Sequence, residues 1–167
     1  LDLLPTLCEI VDIDPPQDRA MDGASFLPLL KGDPIRRTTP LYWHFHQSRA
    51  IQNRPKVAMR IGAWKLLATL TGPRIEPYAD IRTVDQEVIK SAELDTFELY
   101  NLNDDIGETT DRASSEPERL AAMSAKLQKM FHEVQDESPT WPCLKSPRIE
   151  SKRIREFVQA LQRAAGN

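Results

Sequence analysis

One stretch near the middle of the chain decides the fold: Lys56-Val57-Ala58-Met59-Arg60-Ile61-Gly62-Ala63-Trp64-Lys65-Leu66-Leu67. On either side of the glycine, apolar side chains alternate with cationic ones. This alternation is typical of two half-buried antiparallel strands joined by a tight turn. An aromatic run precedes it, Leu41-Tyr42-Trp43-His44-Phe45-His46. Together the two runs contain two of the chain's three His and two of its three Trp, so we expect ligand contacts here.

The flanking segments extend this hairpin to a small α+β fold with an antiparallel sheet of about four strands. The alternation predicts strands over 41–45, 57–61, 64–70 and 97–102. A helix should begin at the capping box Ser115-Glu116-Pro117-Glu118 and run to about Val134. Its apolar residues fall on one stripe at helical spacing, which should pack on the sheet. The stripe comprises Leu120, Met123, Leu127, Met130, Phe131 and Val134.

Two short helices should precede the sheet. The first covers residues 2–13, with Asp2 as its cap and Pro15-Pro16 as its end. The second covers residues 26–31, with Ser25 as its cap and Gly32 in the left-handed conformation after it. Residues 73–93 are polar and predict a long loop with one helical turn near Val84–Lys90.

Composition limits the class of protein. The length of 167 residues suggests one domain, or one domain with an appendage. The residues are 40% apolar and 28% charged, with a net charge of −3. No overall positive field would attract nucleic acid or an anionic membrane. No apolar run is long enough to cross a bilayer, and no signal peptide is visible. Because the chain opens with Leu inside an apolar run, we expect a piece of something longer or a misplaced start.

Cysteines and the basic tail leave questions open. Cys8 and Cys143 are too few and too far apart for a disulfide framework or a zinc site, and they leave the compartment undetermined. Residues 143–167 carry six Lys and Arg against two Glu and have an apolar seam at helical spacing. This tail is either a terminal helix docked on the protein or a helix that binds a membrane surface or a partner.

The residues that carry chemistry are few. The sequence contains neither the phosphate-binding glycine motifs nor a G-x-S-x-G nucleophile elbow. His44 and His46 lie two apart and would share one face of a strand. Without nearby carboxylates they make a poor metal site, which leaves a structural role or binding of an anionic substrate group. Arg60 and Lys65 flank the turn and either add positive charge or form a solvated face. The acidic run 104–108 predicts a turn with a capping carboxylate rather than a calcium loop.

Five motifs follow one another along the chain: Asp2-Leu3-Leu4-Pro5-Thr6-Leu7-Cys8, Asp22-Gly23-Ala24-Ser25-Phe26-Leu27-Pro28-Leu29-Leu30, Tyr42-Trp43-His44-Phe45-His46, Ala58-Met59-Arg60-Ile61-Gly62-Ala63-Trp64-Lys65-Leu66, and Glu98-Leu99-Tyr100-Asn101-Leu102 with Asp105, Gly107, Glu108 and Thr109. In this order they resemble the rear part of type I sulfatases, of the arylsulfatase or N-acetylgalactosamine-6-sulfatase type. The resemblance covers about residues 1–135, and it departs from the family pattern at Asn101, at Ile106 and in the tail after Trp141.

The resemblance implies hydrolysis of sulfate esters, often on sulfated carbohydrates. Members use calcium and a formylglycine made from the Cys of C-x-P/A-S-R, in a larger N-terminal α/β domain. This chain has no such motif, because Cys143-Leu144-Lys145-Ser146-Pro147-Arg148 is one residue too long and swaps Ser and Pro. The resemblance therefore implies the C-terminal subdomain of the alkaline-phosphatase-like fold, with no catalytic or metal-binding residue and no activity of its own.

Further expectations follow from the resemblance. Residues 1–40 would be the end of the N-terminal domain with connecting helices, 41–136 the sheet-plus-helix subdomain, and 137–167 a Pro-containing linker and basic helix. His44 and His46 would line the rim of the substrate pocket. The partners would be the missing N-terminal domain and a sulfated carbohydrate, and without that domain the chain should self-associate. A complete parent is expected in the periplasm or outside the cell. The alternative is a non-catalytic module that binds a glycan or a protein.

Overall fold

A computed structural model describes residues 1–45, 56–72 and 83–139 and the single residue Gln159. Within these residues the chain forms short helices, a four-stranded antiparallel sheet and one long helix, which confirms the α+β fold. In chain order the elements are α1 (Leu3–Ile10), α2 (Leu27–Leu30), β1 (Leu41–Phe45), β2 (Lys56–Ile61), β3 (Trp64–Leu70), α3 (Thr83–Lys90), β4 (Leu94–Asn101) and α4 (Pro117–Glu137).

The sheet has the order β1-β2-β3-β4, so each strand pairs with its neighbour in sequence. Ile61 lies opposite Trp64, and the two residues between them close the β2–β3 hairpin. Gly62 begins this loop with a φ of +59°, a left-handed conformation that glycine adopts with little strain. The predicted turn is therefore confirmed, and it sets the register of the two central strands.

The core lies between one face of the sheet and α4. Val57, Met59, Leu66 and Leu99 have no exposed surface on the sheet side. Across from them, the buried residues of α4 come from the predicted stripe: Met123, Leu127 and Phe131. The packing of the stripe on the sheet is therefore confirmed, although Val134 at its end keeps 37% of its surface exposed.

The predicted capping box at the start of α4 is wrong. The helix begins at Pro117 with Glu116 in the cap position, and no side chain caps it. The Ser115 hydroxyl instead donates to the Arg112 carbonyl oxygen at 3.1 Å, within a tight turn. Proline at the first helical position has no N–H to satisfy and a preset φ, so the helix can start there without the cap.

Asp2 occupies the N-cap position of α1, as predicted, but its side chain does not cap the helix. Its carboxylate accepts hydrogen bonds from the Ala24 N–H at 3.1 Å and from the Arg37 guanidinium. The carboxylate thus pairs with a full positive charge, and hydrogen bonds between two ionised groups are among the stronger ones in proteins. The helix also ends at Ile10, before the prolines, and Asp12 follows with a φ of +55°.

The remaining elements differ from expectation at their ends. Gly32 is left-handed after α2, as predicted, with a φ of +86°, whereas Phe26 rather than Ser25 is the cap residue. β4 begins at Leu94, three residues early, and α3 has eight residues instead of one turn. Lys90 at the end of α3 donates to carbonyl oxygens at the end of α4, including that of Ser138 at 2.5 Å. This tertiary anchor explains why a polar segment forms a helix.

Several predictions fall outside the described residues. They are His46, Cys143, the loop part 73–82 and the basic helix of the tail. The division of the chain at residues 40 and 136 stays a prediction. In the described ranges, none of the helices combines the length and the apolar character that a bilayer crossing requires.

Candidate functional site

His44 lies on β1 and faces α4. Its ring centroid is 5.8 Å from that of Phe131, and the two planes are tilted by 60°. Phe131 is fully buried, whereas His44 keeps exposed surface. The sheet alternation therefore turns His44 toward the helix-covered face, at the edge of the core. His46 lies outside the described residues, so the pair as such stays a prediction.

A second imidazole lies next to the same phenyl ring. The centroid of His132 is 5.9 Å from that of Phe131, and His132 Nε2 is 2.9 Å from a carboxylate oxygen of Glu93. Two imidazoles thus flank one buried ring, and one of them is paired with a carboxylate. Across the described ranges, no cluster of three His, Cys, Asp or Glu is placed to hold a metal. Calcium needs six to eight oxygen ligands, so these side chains do not fit it.

The two cations beside the turn do not join His44. Lys65 Nζ lies 2.5 Å from a Glu108 carboxylate oxygen, and the Nε–H of Arg60 donates to the Gly62 carbonyl oxygen at 2.8 Å. Arg60 alternates with the core residue Met59 along β2, so its side chain leaves the other face of the sheet. The structure therefore separates the histidine and the cations by the thickness of the sheet.

These cations line a groove on the second face of the sheet. The groove has a volume of about 430 Å³ and is bordered by Trp43, Ala58, Arg60, Lys65, Leu102, Ile106 and Glu108. We call it the second-face groove. The sequence analysis missed it, because Ile106 and Glu108 reach it from the turn after β4. The available signal was the alternation, which puts Trp43 and Arg60 on the same face of neighbouring strands.

The acidic turn after β4 is built as predicted, around a carboxylate that caps backbone N–H groups. Asp105 accepts from the N–H groups of Thr109 and Thr110, each at 2.8 Å. The Thr110 bond and then the Thr109 bonds hold the pKa of Asp105 below its usual range. Asp111 accepts from the Leu99 N–H at 2.9 Å and so ties the turn to β4. The acidic run is thus a structural brace that presents Glu108 to Lys65.

The first helix buries Thr6 and Cys8 and exposes its larger apolar side chains. Thr6 is 1% exposed, and its hydroxyl accepts from the Phe26 N–H at 3.0 Å. The opposite residues are exposed by about half or more: Leu3 61%, Leu4 46%, Leu7 49%, Ile10 55% and Val11 59%. We call these five residues the apolar face of α1. A contiguous apolar surface of this kind marks an interaction site.

Comparison with known proteins shows that the chain is similar to part of a sulfatase. It is 24% identical over 172 residues to a sulfatase of Formosa agariphila, covering 95% of this chain and 28% of that protein. The crystal structure of Ps i-CgsB matches 92% of this chain and 28% of its own, with 18% identity and a TM-score of 0.54. A protein solved with its substrate D-glucosamine-2-N,6-O-disulfate matches 83% of this chain and 24% of its own, with 19% identity and a TM-score of 0.50. No protein-family model matches the chain.

These findings confirm the resemblance to sulfatases that the order of motifs predicts. The match to the fold of Ps i-CgsB over 92% of this chain agrees with the predicted α+β fold. The chain spans 28% of the length of the sulfatase that it matches.

Proposed function

We propose that this chain is the C-terminal part of a sulfatase of the arylsulfatase or N-acetylgalactosamine-6-sulfatase type. The match carries this proposal: it runs through 95% of the chain and leaves the larger part of the sulfatase without a counterpart. Sulfated carbohydrates are the substrate class. One solved neighbour holds D-glucosamine-2-N,6-O-disulfate as its substrate, and another structure holds k-i-k-neocarrahexaose.

The catalytic groups lie in the larger domain of this proposed parent. Attack on a sulfate ester requires a nucleophile, cations to neutralise the sulfate oxygens and an acid for the leaving oxygen. In complete members, formylglycine supplies the nucleophile and calcium supplies positive charge. The chain contributes His44 and His46 to the pocket rim, where an imidazole donates hydrogen bonds to the sugar. The contact with Phe131 restrains the ring of His44 for this task.

The apolar face of α1 is the proposed docking surface for the larger domain. Two groups of the first turn anchor the helix to the following segment: the Asp2 carboxylate, through Arg37, and the Thr6 hydroxyl, through the Phe26 N–H. Full burial of a large apolar side chain contributes about 1.5–3 kcal/mol. Since the five residues of the apolar face of α1 are already about half buried, covering them with the larger domain would contribute about 5 kcal/mol in all.

The proposal is tested by intact-mass measurement and peptide mapping of the product from its source cells. We expect a species larger than 19.0 kDa that contains both these residues and a formylglycine peptide of the C-x-P/A-S-R type. That species should release sulfate from a sulfated sugar. A product of 19.0 kDa alone would contradict the proposal and favour the alternative, a non-catalytic module that binds a glycan or a protein.

The rim role is tested in the larger parent protein with His44→Ala and His46→Ala. Each change should lower kcat/KM at least tenfold, because a hydrogen bond to substrate is lost, while the melting temperature changes little. His132→Ala is the matched control, since this imidazole pairs with Glu93 and should leave kcat/KM within twofold of the parent. Unchanged kcat/KM in both rim variants would refute the role.

The docking surface is tested in the isolated chain by light scattering. With the apolar face of α1 uncovered, the chain should self-associate with rising concentration. The double variant Leu7→Ser/Ile10→Ser should shift the chain toward monomer. Glu9→Gln, on the same helix, should leave the association unchanged. A monomer at all concentrations for the unmodified chain would count against this surface.

A further inference from the structure

The second-face groove contains a like-charge pair that the fold neutralises only in part. Arg60 lies directly opposite Lys65 in the β2–β3 register, an arrangement that is unfavourable for two cations. Glu108 pairs with Lys65, and both side chains keep only about a quarter of their surface exposed, 23% for Lys65 and 27% for Glu108. Within the described residues, Arg60 hydrogen-bonds only through its Nε–H, to the backbone at Gly62. The two Nη groups of Arg60 therefore have no carboxylate partner in the part of the chain that the structure describes.

Apolar walls stand beside this cation. Trp43 keeps 47% of its surface exposed and Ile106 keeps 81%. Ala58 forms a floor that is only 8% exposed. Trp43 on β1 lies opposite Ala58 on β2, and Arg60 follows Ala58 by two residues on the same face of the sheet. At this diagonal spacing a large ring and a long side chain can reach each other. The groove therefore offers a flat aromatic surface next to a cation.

We propose that the second-face groove binds an anionic sugar. The apolar C–H face of a pyranose ring packs on the indole of Trp43, and its sulfate or carboxylate accepts charge-assisted hydrogen bonds from the Nη groups of Arg60. The volume of about 430 Å³ falls within the range of about 300–1,000 Å³ for small-molecule sites. This site lies on the opposite side of the sheet from His44, and its occupancy does not depend on sulfate-ester hydrolysis.

The test is binding to the whole 167-residue chain, measured by calorimetry and by tryptophan fluorescence. The probes are N-acetylglucosamine 6-sulfate, glucuronic acid and the uncharged N-acetylglucosamine, with inorganic sulfate alongside. We expect at least one anionic sugar to bind tenfold or more tightly than N-acetylglucosamine. Comparison of the sulfated and carboxylated probes identifies which anion the groove prefers.

Three variants locate the site. Arg60→Gln should lower the affinity for the anionic sugar at least tenfold and remove the preference over N-acetylglucosamine. Arg60→Lys keeps the charge and should retain affinity within about threefold. Trp43→Ala should weaken binding of charged and uncharged sugars alike. Arg19→Gln is the matched control, because Arg19 is exposed and pairs with its neighbour Asp18, and it should bind like the unmodified chain.

Four results would overturn the inference. The first is equal affinity for charged and uncharged sugars, and the second is an equal loss in Arg19→Gln and Arg60→Gln. The third is binding of inorganic sulfate as tight as that of the sulfated sugar, which would leave only an oxyanion patch. The fourth is a change of oligomeric state in Trp43→Ala or Arg60→Gln by light scattering, which would make the groove a protein-docking surface. Because none of these readouts uses turnover, they stand apart from the test of sulfatase function.

Discussion

Replacing Tyr42 with Phe should stabilise the protein. The hydroxyl oxygen of Tyr42 is buried and has no hydrogen-bond partner in the described part of the chain. Its ring packs against the core between the sheet and α4. Tyr42→Phe removes the unsatisfied oxygen and leaves the ring in place, so the folded state no longer bears the cost of desolvating a hydroxyl.

The size of the effect follows from that cost. An unsatisfied buried donor or acceptor costs about 1–3 kcal/mol. Since Tyr42 as a whole is only partly buried, we take the lower end and expect the free energy of unfolding to rise by about 1 kcal/mol. For a chain of this size, that corresponds to a rise of about 2–4 °C in Tm.

Alkaline pH should widen the difference in stability between Tyr42→Phe and the unmodified protein. Burial raises the pKa of Tyr42 from its ordinary 10.0 to about 12. Because the folded-state pKa is the higher one, the stability that comes from the neutral phenol is complete below pH 10. It is lost as the pH rises from about 10 to about 12. Tyr42→Phe has no such proton to lose, so it should retain more stability than the unmodified protein in this window.

The assay is urea unfolding followed by circular dichroism, at pH 7 and at several values between 9 and 11. Tyr100→Phe is the matched control, since the Tyr100 hydroxyl lies 3.4 Å from a Glu98 carboxylate oxygen and has a partner to lose. At pH 7 we expect the control to gain nothing. At alkaline pH the control should also gain stability, because burial raises the pKa of Tyr100 as well. A loss of stability in Tyr42→Phe at pH 7, or the same change in both variants at that pH, would refute the reasoning, because it would mean that the Tyr42 hydroxyl is satisfied.

Three further outcomes are expected of this fold. Phe131→Ala should lower the free energy of unfolding by about 3–5 kcal/mol, because it opens a cavity beneath the ring of His44, and a loss below 1 kcal/mol in urea would contradict this packing. Asp2→Asn should increase hydrogen exchange in α1. The hydrogen bond from Arg37 lowers the pKa of Asp2 below its ordinary 3.8, so the unmodified chain should lose protection of α1 from exchange only as the pH falls from 3.8 through this lowered pKa. Equal exchange in the variant and the unmodified chain would argue against a role of Asp2 in anchoring α1. Gly62→Ala should lower the free energy of unfolding by about 1–2 kcal/mol, because an alanine there is strained by the left-handed backbone although its Cβ would meet no atom within 4 Å. Thermal unfolding measures this loss, and an unchanged Tm would contradict it.

The elements that could be predicted are those with a strong local period. The strands of the β2–β3 hairpin follow from alternation about Gly62, and the core face of α4 follows from the stripe that includes Met123, Leu127 and Phe131. These patterns decide which side of an element is apolar, and burial of that side is the dominant favourable term in folding. The five motifs in order also sufficed for the resemblance to sulfatases.

Only part of each candidate site could be predicted from the sequence. The spacing of His44 and His46 suggests a shared face of one strand, but it does not say which side of the sheet that face joins. The packing of His44 on Phe131 shows that it lies on the side of the sheet that α4 covers, away from the cations at the turn. The second-face groove needs Glu108, which lies 43 positions from its partner Lys65.

The sequence by itself determined the kind of elements, the hairpin register at Gly62, the apolar stripe of α4 and the likeness to a sulfatase. The tertiary structure alone decided where the helices begin, which group Asp2 binds, and which surfaces stay uncovered. The physical reason is that periodicity acts over a few residues, whereas hydrogen-bond partners are chosen by proximity in space. The Asp2 carboxylate binds Arg37, 35 positions away, rather than the N–H groups of the helix that it precedes. The apolar stripe of α1 can be recognised in the sequence, and the structure shows how much of each side chain stays exposed.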